Sequence, residues 1–220
     1  MLDQSTPRGR IIATALKLAA ERPWAGITLL DVAQEAGLTL AELRREFSTK
    51  GEILAAFTRA VDDELLRAAP ANTAALGSRD ALFDIVMSRF DALAPYKPAL
   101  RSIAKSPMFE PAVLRNAIAA QHWMLEAAGV GSDGVVGGLR VAGLASVYAS
   151  VFRTWLADDD PGLARTMAAL DRRLRSGERA LARFDGMCAV FRHISGAFKN
   201  RSKPMAEAGR EPGPSAGGSV

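Results

Sequence analysis

The sequence predicts an all-α protein, a three-helix N-terminal head carried on a larger helical body. Apolar residues recur at three- and four-residue spacing almost throughout, the period of a helix with one buried face. No alternating run flanks an Asn-Gly or Asp-Gly pair, so the hairpin signal is missing. The 220 residues, 49% hydrophobic and 24% charged, suffice for a substantial core.

The first helix carries Ile12, Ala15, Leu16 and Ala19 on one stripe, with Arg8, Arg10 and Lys17 including other faces. Its apolar stretch is interrupted by Lys17, Glu21 and Arg22 and lacks the long core of a secretory signal, so the expected compartment is the cytoplasm. Thr28 suits the N-cap of a short helix through Ala36, its hydroxyl accepting from an amide of the first turn, and Gly37 suits a left-handed stop. Thr39 caps a second short helix to about Phe47, and a longer one starts near Lys50 with Leu54, Phe57, Val61 and Leu65 on one side. The spacing in "AGLTLAELRREFSTKGEIL", residues 36–54, is that of a helix, a tight turn and a second helix laid across DNA.

Residues 69–78, "APANTAALGS", read as the connection between head and body. Leu82, Val86, Phe90 and Leu93 form the next stripe, stopped by Pro95; shorter and longer helices fit "PALRSIAKS" and Pro111 to about Ala128. Residues 139–156 are apolar nearly all round, which predicts a helix buried on most sides. Arg140 and Arg153 bracket only twelve uncharged residues there, short of the roughly 20 of a membrane span. Asp160 is placed to cap a last long helix with Pro161 in its first turn and Met167, Leu170, Leu174 and Leu181 on one face. The expected division is a head at 1–68, a ligand-binding and dimerisation body at 79–195, and a disordered tail at 196–220, where apolar content is too low to pack.

Residues 8–57, with "IIATALKLAAERPWAGITLLDVAQEAGLTLAELRREFSTKGEILAAF", resemble the head of the TetR family of bacterial transcriptional repressors. The order matches without a gap: first helix, Thr-led second helix, "AG" turn, short recognition helix ending in Phe, and "K.EIL" opening the next helix. The resemblance implies a homodimer with its heads in successive major grooves and a helical body that binds a small apolar effector. It also implies that Thr28 and Thr39 touch phosphate as well as capping, that Lys50 is a phosphate-binding lysine, and that Leu40, Ala41, Glu42, Arg44 and Arg45 face double-stranded operator DNA. Where the family usually has a neutral residue and a tyrosine, this chain has Glu42 and Arg44.

Charge is unevenly spread. Residues 1–67 hold nine Lys/Arg and ten Asp/Glu, whereas residues 164–220 hold eleven and five. A nearly neutral head implies weak, salt-sensitive nucleic-acid binding that depends on where its cations sit. Arg8, Arg10, Arg44, Arg45 and Lys50 are placed to share a face.

The body, in "RDALFDIVMSRFDALAPYKPAL" and "TWLADDDPGLARTMAALDRRL", also resembles ubiquinone-biosynthesis accessory proteins that keep a TetR-like fold but bind isoprenoid lipid, with membrane contact and no DNA binding. That similarity suggests a roomy pocket lined by Phe83, Met87, Phe90, Trp123, Tyr148, Phe152 and Trp155, although large apolar residues at helical spacing are core by default. The basic run "DRRLRSGERALARF" suits lipid headgroups or, more commonly, a dimer-forming or solvated face.

Enzyme signals fail on inspection. "GVGSDG", Gly129–Gly134, fits G-x-G-x-x-G but follows a helix rather than a strand. "DDD" at 158–160 has no second oxygen-ligand set and suits helix capping, while His122 and His193 are too few for a metal site. Cys188 is the only cysteine, which excludes an intrachain disulfide and a thiolate cage. Neither metal nor cofactor is expected, and no catalytic residue.

Overall fold

The computed structural model describes residues 2–69, 77–106 and 111–179, and among them every regular element is helical. The tail, Cys188, His193 and Leu181 lie outside the described residues, as does most of the 69–78 connection. The N-terminal helices are α1 (Pro7–Glu21), α2 (Leu29–Glu35), α3 (Leu40–Glu46) and α4 (Lys50–Ala68), with a 3-10 turn at Trp24–Gly26 between the first two. Then come α5 (Ser78–Leu93), α6 (Lys97–Ala104), α7 (Pro111–Ala127), α8 (Gly134–Ala157) and a final described helix, α9, at residues 164–179. Residues Met1–Glu178 form one compact unit.

Local chemistry sets the helix starts. Thr6 caps α1 by accepting from the Gly9 amide, and Pro7 at the first helical position brings a φ already suited to a helix. Gly37 adopts φ +66, the left-handed stop expected after α2. Ile11, Ala15, Leu43, Ile53, Phe57 and Val61 are fully buried and close the head around α1. Trp24, which the apolar stripes do not reveal, is among the largest buried side chains.

Helix α1 packs on α6, and α4 packs on α5 and α7. Asn116 of α7 reinforces the second contact: its amide donates to the Ala55 carbonyl (3.1 Å) and the Thr58 hydroxyl (2.6 Å) and accepts from Arg59 Nε (3.0 Å). One apolar core runs from Ile11 to Leu174.

Two expectations need correction. Helix α8 starts at Gly134, and it buries only Gly137, Leu144, Val151 and Trp155. One chain covers only one side of it, so its uniform apolarity reflects more surface than these neighbours can bury. By length and composition it suffices to cross a membrane, yet it carries Arg140, bonded to the Val130 carbonyl (2.8 Å), and packs on α7. Pro161 lies in the turn before α9 rather than in its first turn. Asp160 accepts from the Gly162 and Ala164 amides, Asp158 accepts from the Thr166 amide and hydroxyl, and Asp159 pairs with Arg101, so the acidic triplet organises the start of α9 and its junction with α6.

Candidate nucleic-acid interface

Helix α3 is short enough to be laid out by its turn angle. At about 100° per residue, with Leu43 in the core, Ala41 and Arg45 lie about 160° away on the outermost row. Leu40 and Arg44 occupy one flank, Glu42 and Glu46 the other. Leu40 is 49% exposed, and Ala41, Glu42, Arg44 and Arg45 are exposed too, so all five recognition-helix candidates reach solvent.

The acids on that surface are turned to internal tasks. Glu42 Oε2 accepts from the Thr39 amide and hydroxyl (both 2.8 Å), while Thr39 Oγ1 accepts from the Glu42 amide (3.2 Å). This reciprocal cap closes amides that would otherwise be unpaired at the start of α3. The Thr39 amide and hydroxyl hold the Glu42 carboxyl below the usual carboxylate range, and the charges of Arg45 and Arg10 add to the effect. Glu46 faces Arg8 at 3.8 Å, and the Arg8 guanidinium lies 4.5 Å from the centre of the Phe47 ring.

The same device recurs in the head. Thr28 and Asp31 make the reciprocal cap of α2, with the Thr28 amide and hydroxyl, followed by Arg22, holding Asp31 below its ordinary value. Thr49 caps α4 by accepting from the Glu52 amide, and Glu52 in turn accepts from the Ser48 amide at 2.6 Å. Glu35 pairs with Lys17 at 2.7 Å. The sequence reading names Thr28 and Thr39 but neither Thr49 nor the acidic partners; the signal is the triple Thr-x-x-acid spacing of Thr28/Asp31, Thr39/Glu42 and Thr49/Glu52.

Lys50 turns inward. Its ammonium donates to the carbonyls of Trp24 (3.0 Å) and Ile27 (2.7 Å) and lies 4.8 Å from the centre of the Trp24 ring. Arg44 and Arg45, by contrast, make no hydrogen bond or ion pair within the described residues. They offer two guanidinium forks, groups whose planar donors match phosphate oxygens or a guanine edge.

The expected pocket residues divide. Phe90, Tyr148, Phe152 and Trp155 stack on one another, with Phe90 centred 5.4 Å from Tyr148 and 5.3 Å from Trp155. Met87 packs on the core beside them. Phe83 lines a cleft of about 440 Å3 between α5 and α9, with Asp84, Met167, Asp171 and Leu174. Trp123 stands apart, 51% exposed and edge-on to His122. Behind the stack is a buried ion pair: Arg89 Nη2 lies 2.8 Å from Asp62 Oδ1, and its guanidinium lies 5.0 Å from the centre of the Tyr148 ring. Burial pushes Asp62 up to about 6, against the opposing pull of Arg89.

Residues 11–57 match the family model described as bacterial regulatory proteins, tetR family. Among solved structures, the TetR transcriptional regulator from Nitrosomonas europaea ATCC 19718 aligns with a TM-score of 0.62 and 26% identity over 79% of this chain and 98% of its own. A TetR transcriptional regulator from Rhodococcus sp. RHA1 aligns with a TM-score of 0.59 and 17% identity over 76% of this chain and 93% of its own, a likeness of fold alone. No curated protein sequence matches.

Proposed function

The chain carries a TetR-family head at residues 11–57 and has the all-α fold of TetR transcriptional regulators beyond it, and on that premise we propose that it binds operator DNA in the cytoplasm as a homodimer and is released by a small apolar effector. The observation that carries this reading is the pair of arginines on α3. The acids beside them are held in a cap and an ion pair, and Arg44 and Arg45 extend from the exposed helix with no hydrogen bond or ion pair among the described residues.

In this reading α3 enters the major groove. Arg44 and Arg45 bind backbone or guanine edges, and Leu40 and Ala41 meet thymine methyls. Glu42 holds the start of the helix and selects no base. Thr28, Thr39 and Lys50 set the positions of α2, α3 and α4 and lie beside the phosphates. The open apolar side of α8 is where the second copy docks, doubling the two arginines of one head to four. The effector inserts among Phe90, Tyr148, Phe152 and Trp155, with Phe83, Met87 and Trp123 further out. It favours the conformation whose head spacing does not match DNA, and its differential affinity for the two states sets the response.

A gel shift with DNA flanking the gene, at two salt concentrations, tests the reading alongside mass spectrometry of co-purified small molecules. Binding with a steep salt slope that weakens in Arg45→Ala, while the head stays folded, is the expected result. Unchanged binding in Arg45→Ala counts against the arginine pair. Retained isoprenoid lipid with no shift points instead to a lipid-binding accessory protein.

A further inference from the structure

Helix α6 is fastened by neighbouring side chains to two different parts of the molecule. In its first turn, the Lys97 ammonium donates to the Asp158 carbonyl and lies 4.9 Å from the centre of the Trp155 ring. One turn on, Arg101 Nε donates to the Leu156 carbonyl (2.6 Å), and its guanidinium pairs with Asp159. Lys97 and Arg101 therefore bind α6 to the C-terminus of α8 and to one ring of the aromatic stack.

Ser102 faces the other way. Its hydroxyl accepts from the Trp24 amide (3.0 Å) and donates to the Arg22 carbonyl (3.1 Å), gripping the segment between α1 and α2 from about 80 residues away in sequence. Lys50 holds the same segment through the Trp24 and Ile27 carbonyls. The next residue, Thr28, is the cap from which α2 starts. Between these anchors, the apolar contact of α1 with α6 is non-directional and tolerates small slides. Two hydrogen bonds on one hydroxyl do not, because they weaken steeply with misalignment.

We propose that Ser102 is a positioning residue that transmits movement of α6 to the α1–α2 segment, and through it to the helix-turn-helix. Displacement of Trp155 shifts Lys97 and the first turn of α6; Ser102 then either carries Arg22–Ile27 along or lets go of it. Lys50 and Thr28 move with that segment, so the Ser102 hydroxyl couples α6 to the start of α2. The consequence for operator affinity rests on the regulator reading above; the mechanical link does not.

Hydrogen exchange on the full chain tests the link in wild type, Ser102→Ala, Ser102→Thr, Lys97→Met and the Lys97→Met/Ser102→Ala double variant. Ser102→Ala raises exchange of the Trp24 amide about tenfold, as expected for a local opening made easier by one lost hydrogen bond. Ser102→Thr, which keeps the hydroxyl, restores it. Lys97→Met, made at the far end of α6, raises exchange over residues 24–28 when Ser102 is present and adds nothing there in Ser102→Ala. Faster exchange at 156–158 with no change at 24–28 in Lys97→Met overturns the proposal, as does an equal response with and without the Ser102 hydroxyl. Operator titrations of the same proteins give the functional arm: wild type that binds no duplex DNA sinks the regulator reading, while the exchange data still decide the role of Ser102.

Discussion

Helices α3 and α8 are both largely exposed, for opposite reasons. In α3 the polar groups are settled locally: Glu42 returns to Thr39, Glu46 meets Arg8, and Leu43 alone anchors the helix in the core. In α8 the outward stripe of Val135, Leu139, Ala142, Ser146, Ala149 and Arg153 is mostly apolar and small, with Val135 89% exposed. A surface whose acids are held in a cap and an ion pair, beside two arginines with no ion pair among the described residues, suits a polyanion. A long, flat, nearly uncharged surface of small residues suits a close-packed copy of itself, since apolar area of that extent is rarely left in water. The contrast separates a helix completed by its own neighbours from one whose complement lies outside the chain.

The largest effect falls on α8. Ala142→Glu places a charge in the middle of the outward stripe; sedimentation is expected to show a monomer, and operator affinity to drop at least about a hundredfold once the second head is lost. A variant that stays dimeric with wild-type affinity would move the interface elsewhere.

Next comes the interior. Arg89→Met leaves Asp62 buried without its partner and is expected to destabilise the fold by about 3–5 kcal/mol near neutral pH, read by urea unfolding. The loss shrinks on acidification, because a protonated Asp62 needs no counter-charge. In the wild type the Asp62 carboxyl sits at about 6 in the fold, against about 3.9 in an unfolded chain. Its contribution to stability is therefore fully present below about pH 4 and is lost as pH rises through 6, about 3 kcal/mol in all. Asp62→Asn should flatten that part of the pH profile. The surface acids of the head have the opposite sign: Asp31, Glu35 and Glu42 are all held below their ordinary values, so their contributions are present at neutral pH and fade on acidification.

Smallest of all is the loss of a cap. Thr39→Ala removes the hydroxyl that accepts from the Glu42 amide and is expected to cost about 1 kcal/mol of stability in thermal melts. It also leaves the Glu42 carboxylate with only the residue-39 amide as its donor, so operator affinity should fall further than the stability loss alone explains.

The sequence made the head legible because its determinants are short-range. Thr28, Gly37 and Thr39 sit where capping and left-handed stops require them; α2 and α3 begin and end, and α4 begins, within a residue or so of expectation. Glu42 keeps its charge on the exposed face, but its carboxylate is held by Thr39, a partner found by looking three residues back rather than outward. Lys50 could not be placed from spacing, since its carbonyl partners at Trp24 and Ile27 depend on how α4 lies against the 3-10 turn. In the body, helical periodicity found the elements but not which side of each is covered. It marked α8 as buried, and it grouped Trp123 with rings that the fold places elsewhere.

The central claim is that α3 holds nucleic-acid backbone through Arg44 and Arg45 in each of two heads. The direct measurement is the salt dependence of operator binding by fluorescence anisotropy, for wild type and Arg45→Ala of unchanged oligomeric state. If Arg45 neutralises one phosphate per protomer, the slope of log affinity against log salt should fall in magnitude by about two on removing it from the dimer. An identical slope in the two proteins, or no duplex binding by the wild type at low salt, would contradict the account.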